Sequence, residues 1–165
     1  MRRTGSQIAP SRITVRDLQR KIVVNIPGLQ KFAENAWTLC LKLRRNQRTQ
    51  LTRLGHVSIL LISDRRMIEL HRQFLNEAGS TDIITFAHGE IFISLRTAQR
   101  HARRFGNSLQ RELQLYIVHG LLHLHGYDDR KKGDARKMSA TQEKILVAAL
   151  KSRARPTKRS PRRRV

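Results

Sequence analysis

The sequence predicts an α+β fold: a small mixed β-sheet packed by helices, in a single domain with a metal site at the end of a helix. Three observations predict it. Short β-branched runs gather in the first half of the chain, helical periodicity fills the second half, and one helical segment falls between strand segments. Ile13 to Ile26 (ITVRDLQRKIVVNI) is rich in β-branched residues and reads as a strand region, interrupted around Asp17 to Lys21 and broken by Pro27 and Gly28. Leu29 to Leu43 then places apolar residues at 29, 32, 33, 36, 37, 40 and 41, the i, i+3, i+4 spacing of an amphipathic helix. His56 to Ser63 is a strand short enough to be buried on both faces, and Ser63 with Asp64 supplies N-cap chemistry for a helix running to about Leu75. After a turn at Ala78, Gly79 and Ser80, two strands, Asp82 to Ala87 and Glu90 to Ser94, flank His88-Gly89 closely enough to suggest a hairpin. A helix around Arg96 to Phe105 ends at Gly106-Asn107. Ser108 is placed to cap the next one, which carries Leu109, Leu113, Ile117, Leu121 and Leu124 up to Gly126. A last helix, about Asp134 to Lys151, closes the domain.

At 165 residues the chain has the length of one domain, and three segments are expected: a basic N-terminal extension over 1–12, the folded domain over 13–151 and a basic disordered tail over 152–165. Lysine and arginine number 34 against 12 acids, a net charge of +22 that self-repels strongly without a polyanionic partner, for which RNA or DNA is the obvious choice. The last fifteen residues hold eight of those cations and no acid, so the basicity belongs to the domain as well as to the tail. The longest apolar runs, such as VSILLIS from Val57 to Ser63, are far short of the roughly 20 residues that span a bilayer, and the arginines near the start are not followed by an apolar stretch. A cytoplasmic protein without membrane contact is expected. The single cysteine, Cys40, forms no internal disulfide and lies on what reads as the buried side of a helix, so a catalytic thiol is not expected.

The informative stretch is Ile117 to Arg130, IVHGLLHLHGYDDR. His119 and His123 are four apart on a predicted helix, which puts both rings on one face within reach of one ion. Gly126 can take the left-handed conformation that ends the helix and turns the chain back, and Asp129 is three residues further on. The result, H-x-x-x-H-x-x-G-x-x-D, is the spacing that metzincin-type zinc hydrolases use with histidine as the third ligand. Asp128 is the rival of Asp129, and spacing favours Asp129. His125 points to another face and reads as a packing residue. Three protein ligands leave a coordination position open, as catalytic sites do, and an ion there acidifies water and polarises a phosphoryl oxygen. Gly120 stands where H-E-x-x-H proteases carry their general base, which argues against a peptidase. A metal site in a strongly basic domain points instead to a phosphodiester substrate.

HGLLHLHGYDD, with STDIITF (Ser80 to Phe86) and GEIFIS (Gly89 to Ser94) upstream, closely resembles the YbeY family of bacterial endoribonucleases over about residues 55 to 150. The resemblance implies an α+β fold, one zinc ion and no small-molecule cofactor. It also implies a single-strand-specific, metal-dependent endoribonuclease acting in maturation of the 16S ribosomal RNA 3′ end and in ribosome quality control, with ribosomal RNA and the small subunit as partners. Carried over, the metal ligands fall on His119, His123 and Asp129. The family usually has histidine at the third position. Aspartate ligates zinc well but adds negative charge, which makes bound water less acidic.

Some members have an arginine, thought to help catalysis, where this chain has Leu75; Arg72 is the candidate to take over that role, with a plain surface arginine as the other reading. Thr81 and Asp82 match the family's pair at the start of a strand lining the cleft, or cap a local turn. Glu112 reads as a solvent-facing helix residue or a support for the ligands, and His71, His88 and His101 are given no role. The rival from another class is a non-catalytic RNA- or ribosome-binding module with a structural metal, which a fourth ligand such as His88 would favour. Nickel, manganese or iron would also suit the donors.

Overall fold

The structure, a computed structural model, describes residues 12–75 and 81–152. The expected extension up to residue 11, the turn at 78–80 and the tail from residue 153 lie outside the described residues.

Four strands, β1 (Ile13–Asp17), β2 (Val57–Ile62), β3 (Ile83–Phe86) and β4 (Glu90–Ser94), form one sheet in the order β1-β2-β4-β3. The β1, β2 and β4 strands run parallel, and β3 pairs antiparallel with β4 as the expected hairpin, Phe86 opposite Glu90. Six helices complete the described residues: α1 (Ile26–Leu41), α2 (Gln50–Arg53), α3 (Asp64–Leu75), α4 (Leu95–Phe105), α5 (Leu109–Leu124) and α6 (Lys132–Lys151). The α+β architecture with a mixed sheet is the one the sequence predicts. No helix among the described residues is long and apolar enough to cross a membrane.

Two-residue alternation along the strands builds two cores of unequal size. Val57, Ile59 and Leu61 of β2 and Ile91 and Ile93 of β4 face a large cluster with α1, α4, α5 and α6. Leu60 and Ile62 of β2, with Ile84, face Met67 and Leu70 of α3 on the opposite side. Burial on both faces is why β2 reads as an unbroken apolar run. Cys40 is buried in the larger core, where burial pushes its thiol up to about 12, so it stays protonated at neutral pH.

Two local readings need correction. The expected strand region from Ile13 to Ile26 keeps only β1, because Gln19 organises the following residues into a turn: its Oε1 accepts from the backbone N–H of Lys21 and Ile22, both at 2.9 Å. Val23, β-branched but 96% exposed, is no strand residue. Pro27 lies in the first turn of α1 rather than preceding it, since a first-turn N–H has no helical partner to lose, and Asn25 caps this start by accepting from the Gly28 N–H at 3.0 Å. The short α2 has no periodic signature; Thr49 and Thr52 cap it reciprocally, and Leu51 is its one buried residue.

Candidate metal centre

Helix α5 begins where Ser108 Oγ accepts from the Arg111 N–H at 3.1 Å. Leu113, Ile117, Leu121 and Leu122 are fully buried in the larger core, leaving His119 and His123 half-buried along another edge of the helix. Gly120 lets this edge approach the sheet. A Cβ there would sit 2.8 Å from Ile91 Cδ1 and 3.2 Å from Thr85 Oγ1, so the small residue absent from protease chemistry has a packing reason.

Gly126 ends the helix with φ of +85°, the left-handed conformation that an L side chain adopts at a cost. The Tyr127 N–H bonds to the Leu122 carbonyl and the Gly126 N–H to the His123 carbonyl, both at 3.0 Å, which is a Schellman ending. Arg45 secures the same turn from outside: its Nη2 donates to the Gly126 carbonyl at 2.7 Å, and its guanidinium lies 4.3 Å from the centre of the Tyr127 ring. Below it, His125 is buried and bonded to Thr49 Oγ1 at 2.9 Å and to the Leu43 carbonyl at 3.0 Å, so it packs the helix end onto the segment after α1.

The reversed chain brings Asp129 back to the histidines. Its Oδ2 lies 3.6 Å from His119 Nε2 and 3.7 Å from His123 Nε2, and the two Nε2 atoms are 3.0 Å apart. Asp128 is turned away into a tight pair with Arg130, whose hydrogen bonds hold the Asp128 carboxyl well below the usual carboxylate range. His119 Nδ1 meets the Gln142 side-chain oxygen at 3.0 Å, and His123 Nδ1 meets the Tyr127 carbonyl at 3.1 Å. The Tyr127 carbonyl and the Gln142 oxygen both accept, which favours the proton on each Nδ1 and turns each Nε2 lone pair towards the other. Two lone pairs at that separation repel unless a cation lies between them. Donors at 2.0 to 2.1 Å from one tetrahedral ion are about 3.3 Å apart, and the three separations here bracket that value. Burial, then the neighbouring His123, lowers the His119 pKa against the opposing pull of Gln142, Asp129 and Asp82. That favours the neutral imidazole, the form that binds metal. The donor set therefore fits one divalent ion.

The cluster opens into a cleft of about 440 Å³ whose other walls include Leu75 and, on and beside the edge strand β3, Thr81, Asp82 and Thr85. Arg72 is exposed on α3 and does not line this cleft; the residue that α3 contributes is Leu75. Thr81 Oγ1 donates to Asp82 Oδ1 at 3.3 Å, the local contact expected of a turn pair, while both residues also line the cleft. Glu112, read from the sequence as a solvent-facing residue or a support for the ligands, is 5% exposed and so does not face solvent; it accepts from Asn107 Nδ2 at 3.1 Å. It lies near Tyr116, whose hydroxyl is 2.7 Å from His101 Nδ1; burial first, then Asp82 and Glu112, raises the Tyr116 pKa. A partly buried polar chain thus runs from the start of α5 to His101 and on to Asp82, 3.9 Å from the His101 ring. His88, proposed as a possible fourth ligand, pairs with Glu90 at 2.7 Å and is not among the clustered donors. Gln142 and Arg45 escape sequence reading because nothing local marks residues 23 and 81 positions from their partners.

A mixed sheet sandwiched by helices, with two histidines and an aspartate converging at a helix end beside an edge strand, defines a class: small α+β proteins with a three-residue group able to hold one divalent ion. A family profile described as Endoribonuclease YbeY matches residues 14–149. A Bacteroides fragilis protein of that name is 31% identical over 131 residues, covering 75% of this chain and 91% of that one. One from Anaeromyxobacter sp., also named Endoribonuclease YbeY, is 36% identical over 121 residues, covering 65% of this chain and 63% of that one. The solution structure of TM1509 from Thermotoga maritima matches with a TM-score of 0.61 at 26% identity, over 92% of this chain and 99% of that one. The chain belongs to the YbeY endoribonuclease family.

Proposed function

We propose that this protein is a zinc-dependent endoribonuclease that cuts single-stranded RNA during maturation of the 16S ribosomal RNA 3′ end and in ribosome quality control. The observation that carries the reading is the convergence of His119, His123 and Asp129, with both Nε2 lone pairs inward, in an open cleft of a YbeY-family chain with a net charge of +22. His119, His123 and Asp129 would hold the ion. When bound, it supplies Lewis acidity, polarising a phosphoryl oxygen and acidifying water.

The chain's own groups do the rest. Gln142 and the Tyr127 carbonyl aim the two imidazoles and keep their protons on Nδ1. Arg45 holds the turn that carries Asp129, and Thr81 and Asp82 form the opposite wall, where polar groups meet the ribose-phosphate chain. The cations of the domain and of segment 152–165 bind the backbone electrostatically, with small-subunit RNA in the cytoplasm as the natural polyanion. Three protein ligands among the described residues leave a coordination position open, which supports an enzyme over a ribosome-binding module with a closed, structural metal site.

The test is cleavage of a ribosomal RNA fragment bearing the small-subunit 3′ precursor, comparing the protein, His123→Ala, and chelator-stripped protein resupplied with zinc. Cutting that is lost in the variant and in the stripped protein, and returns with zinc, is expected. RNA binding without cutting by any sample would select the binding module.

A further inference from the structure

A second concave surface shares no residue with the metal cleft and is nearly twice its size, about 810 Å³ against about 440 Å³. It lies at the carboxyl ends of the neighbouring parallel strands β2 and β4, where α3 and α4 both begin and where the turn at Gln19 to Ile22 closes the side. In open sheets this end is where crevices form and ligands bind. Helix α4 turns Leu95, Ala98 and Ala102 into the protein and presents Arg96, Gln99, Arg100 and Arg103 to the cleft, the i, i+3, i+4, i+7 pattern of one helix face. Lys21 and Arg65 also line it, so five cations surround one acid, Asp64.

That acid is already engaged. Asp64 accepts from Ser94 Oγ, from Thr97 Oγ1 at 2.9 Å and from Arg100 Nη1 at 2.9 Å, which ties the start of α3 to the start of α4. Its engagement uses Arg100, and Arg65 lies 3.6 Å from Glu69, but Arg96 and Arg103 make no ion pair among the described residues. Seven residues of helix separate them, about 10 Å of axis, a length that accommodates two or three backbone phosphates. No aromatic side chain lines the cleft to stack a base, and guanidinium forks match phosphate oxygens bidentately.

We propose that the α3–α4 cleft is a second RNA-contact site, one that grips the sugar-phosphate backbone without regard to sequence and holds the substrate at a distance from the metal centre. The inference rests on RNA being the partner of this protein, not on its being cut.

The test is equilibrium binding of a labelled single-stranded RNA oligonucleotide to the full chain over a series of salt concentrations, for wild type, for Arg96→Ala/Arg103→Ala, and for Lys137→Ala/Lys144→Ala, which removes the same charge from the exposed face of α6. Each lost phosphate contact lowers the slope of log affinity against log salt by roughly 0.7. The cleft variant is expected to lose about 1.4 from that slope and about tenfold in affinity at moderate salt, with a clearly smaller loss in the α6 variant. An unchanged slope in the cleft variant, or an equal loss in both variants, overturns the proposal while leaving the ribonuclease reading intact. Failure of wild type to bind RNA overturns both. Amide shifts of the unaltered chain on RNA addition give a readout free of any folding defect: movement around Lys21, Arg65 and Arg96 to Arg103 is expected, and shifts confined to residues 81–85 and 119–129 sink the idea.

Discussion

At the scale of single residues, the clustered donors and the groups that aim them differ in how they can be found. His119, His123 and Asp129 were legible because a helix turn and a left-handed glycine dictate the spacing at which three side chains meet. The same geometry separates Asp129 from Asp128, whose carboxylate is spent on Arg130. Arg45 and Gln142 were illegible, since their roles exist only once distant segments pack. Arg45 matters through what it holds: the Gly126–Tyr127 turn sets both the carbonyl that orients His123 and the return of Asp129. Removing groups that orient metal ligands commonly weakens affinity by 10- to 100-fold. Arg45→Ala is therefore expected to lose about tenfold in zinc affinity, measured by competition with a chromophoric chelator, with little change in the thermal midpoint of the metal-free protein. Equal affinity in variant and wild type would show that the turn holds its shape alone.

At the scale of elements, strands buried on both faces and long periodic helices were readable, and structure made by side chains was not. The segment after β1 has strand-like composition, yet Gln19 draws it into a turn, and α2 is a single capped turn with nothing periodic to detect. Helix α5 shows a constraint that periodicity also hides, because its distance from the sheet is set at Gly120. Alanine there gains roughly 1 kcal/mol of helix propensity but drives a methyl into Ile91 and Thr85. Overpacking of this kind costs about 1 to 3 kcal/mol. Gly120→Ala is expected to be destabilising by about 1 kcal/mol in urea unfolding, and to disturb His119, its neighbour in sequence; a stabilised variant would mean that Ile91 has room to turn.

At the scale of the whole molecule, charge sets the conditions under which the fold persists. With 34 bases against 12 acids, each acid protonated at low pH adds to a positive excess that already opposes compaction. Asp64 is the acid with the clearest structural duty, joining α3 on one side of the sheet to α4 on the other. Burial opposes its charge, but hydrogen bonds from Ser94, Arg100 and Thr97 outweigh it and hold the carboxyl below its ordinary 3.8. A depressed carboxyl stabilises the fold above its unfolded value and loses that contribution as pH falls through the folded one. Asp64→Asn is expected to lower the thermal midpoint at pH 5 to 7, and the gap to wild type should close below about pH 4; a gap that persists there would assign the effect to shape rather than ionisation. The three clustered donors, by contrast, come from one short stretch of chain, with no strand and no second domain between them. Chelation closes a ring of only about ten residues, so the entropy it removes from the unfolded chain is small. The proposed ion would therefore be held by the end of α5 and the turn after it, with only Gln142 of α6 in support, and its loss would cost the fold little.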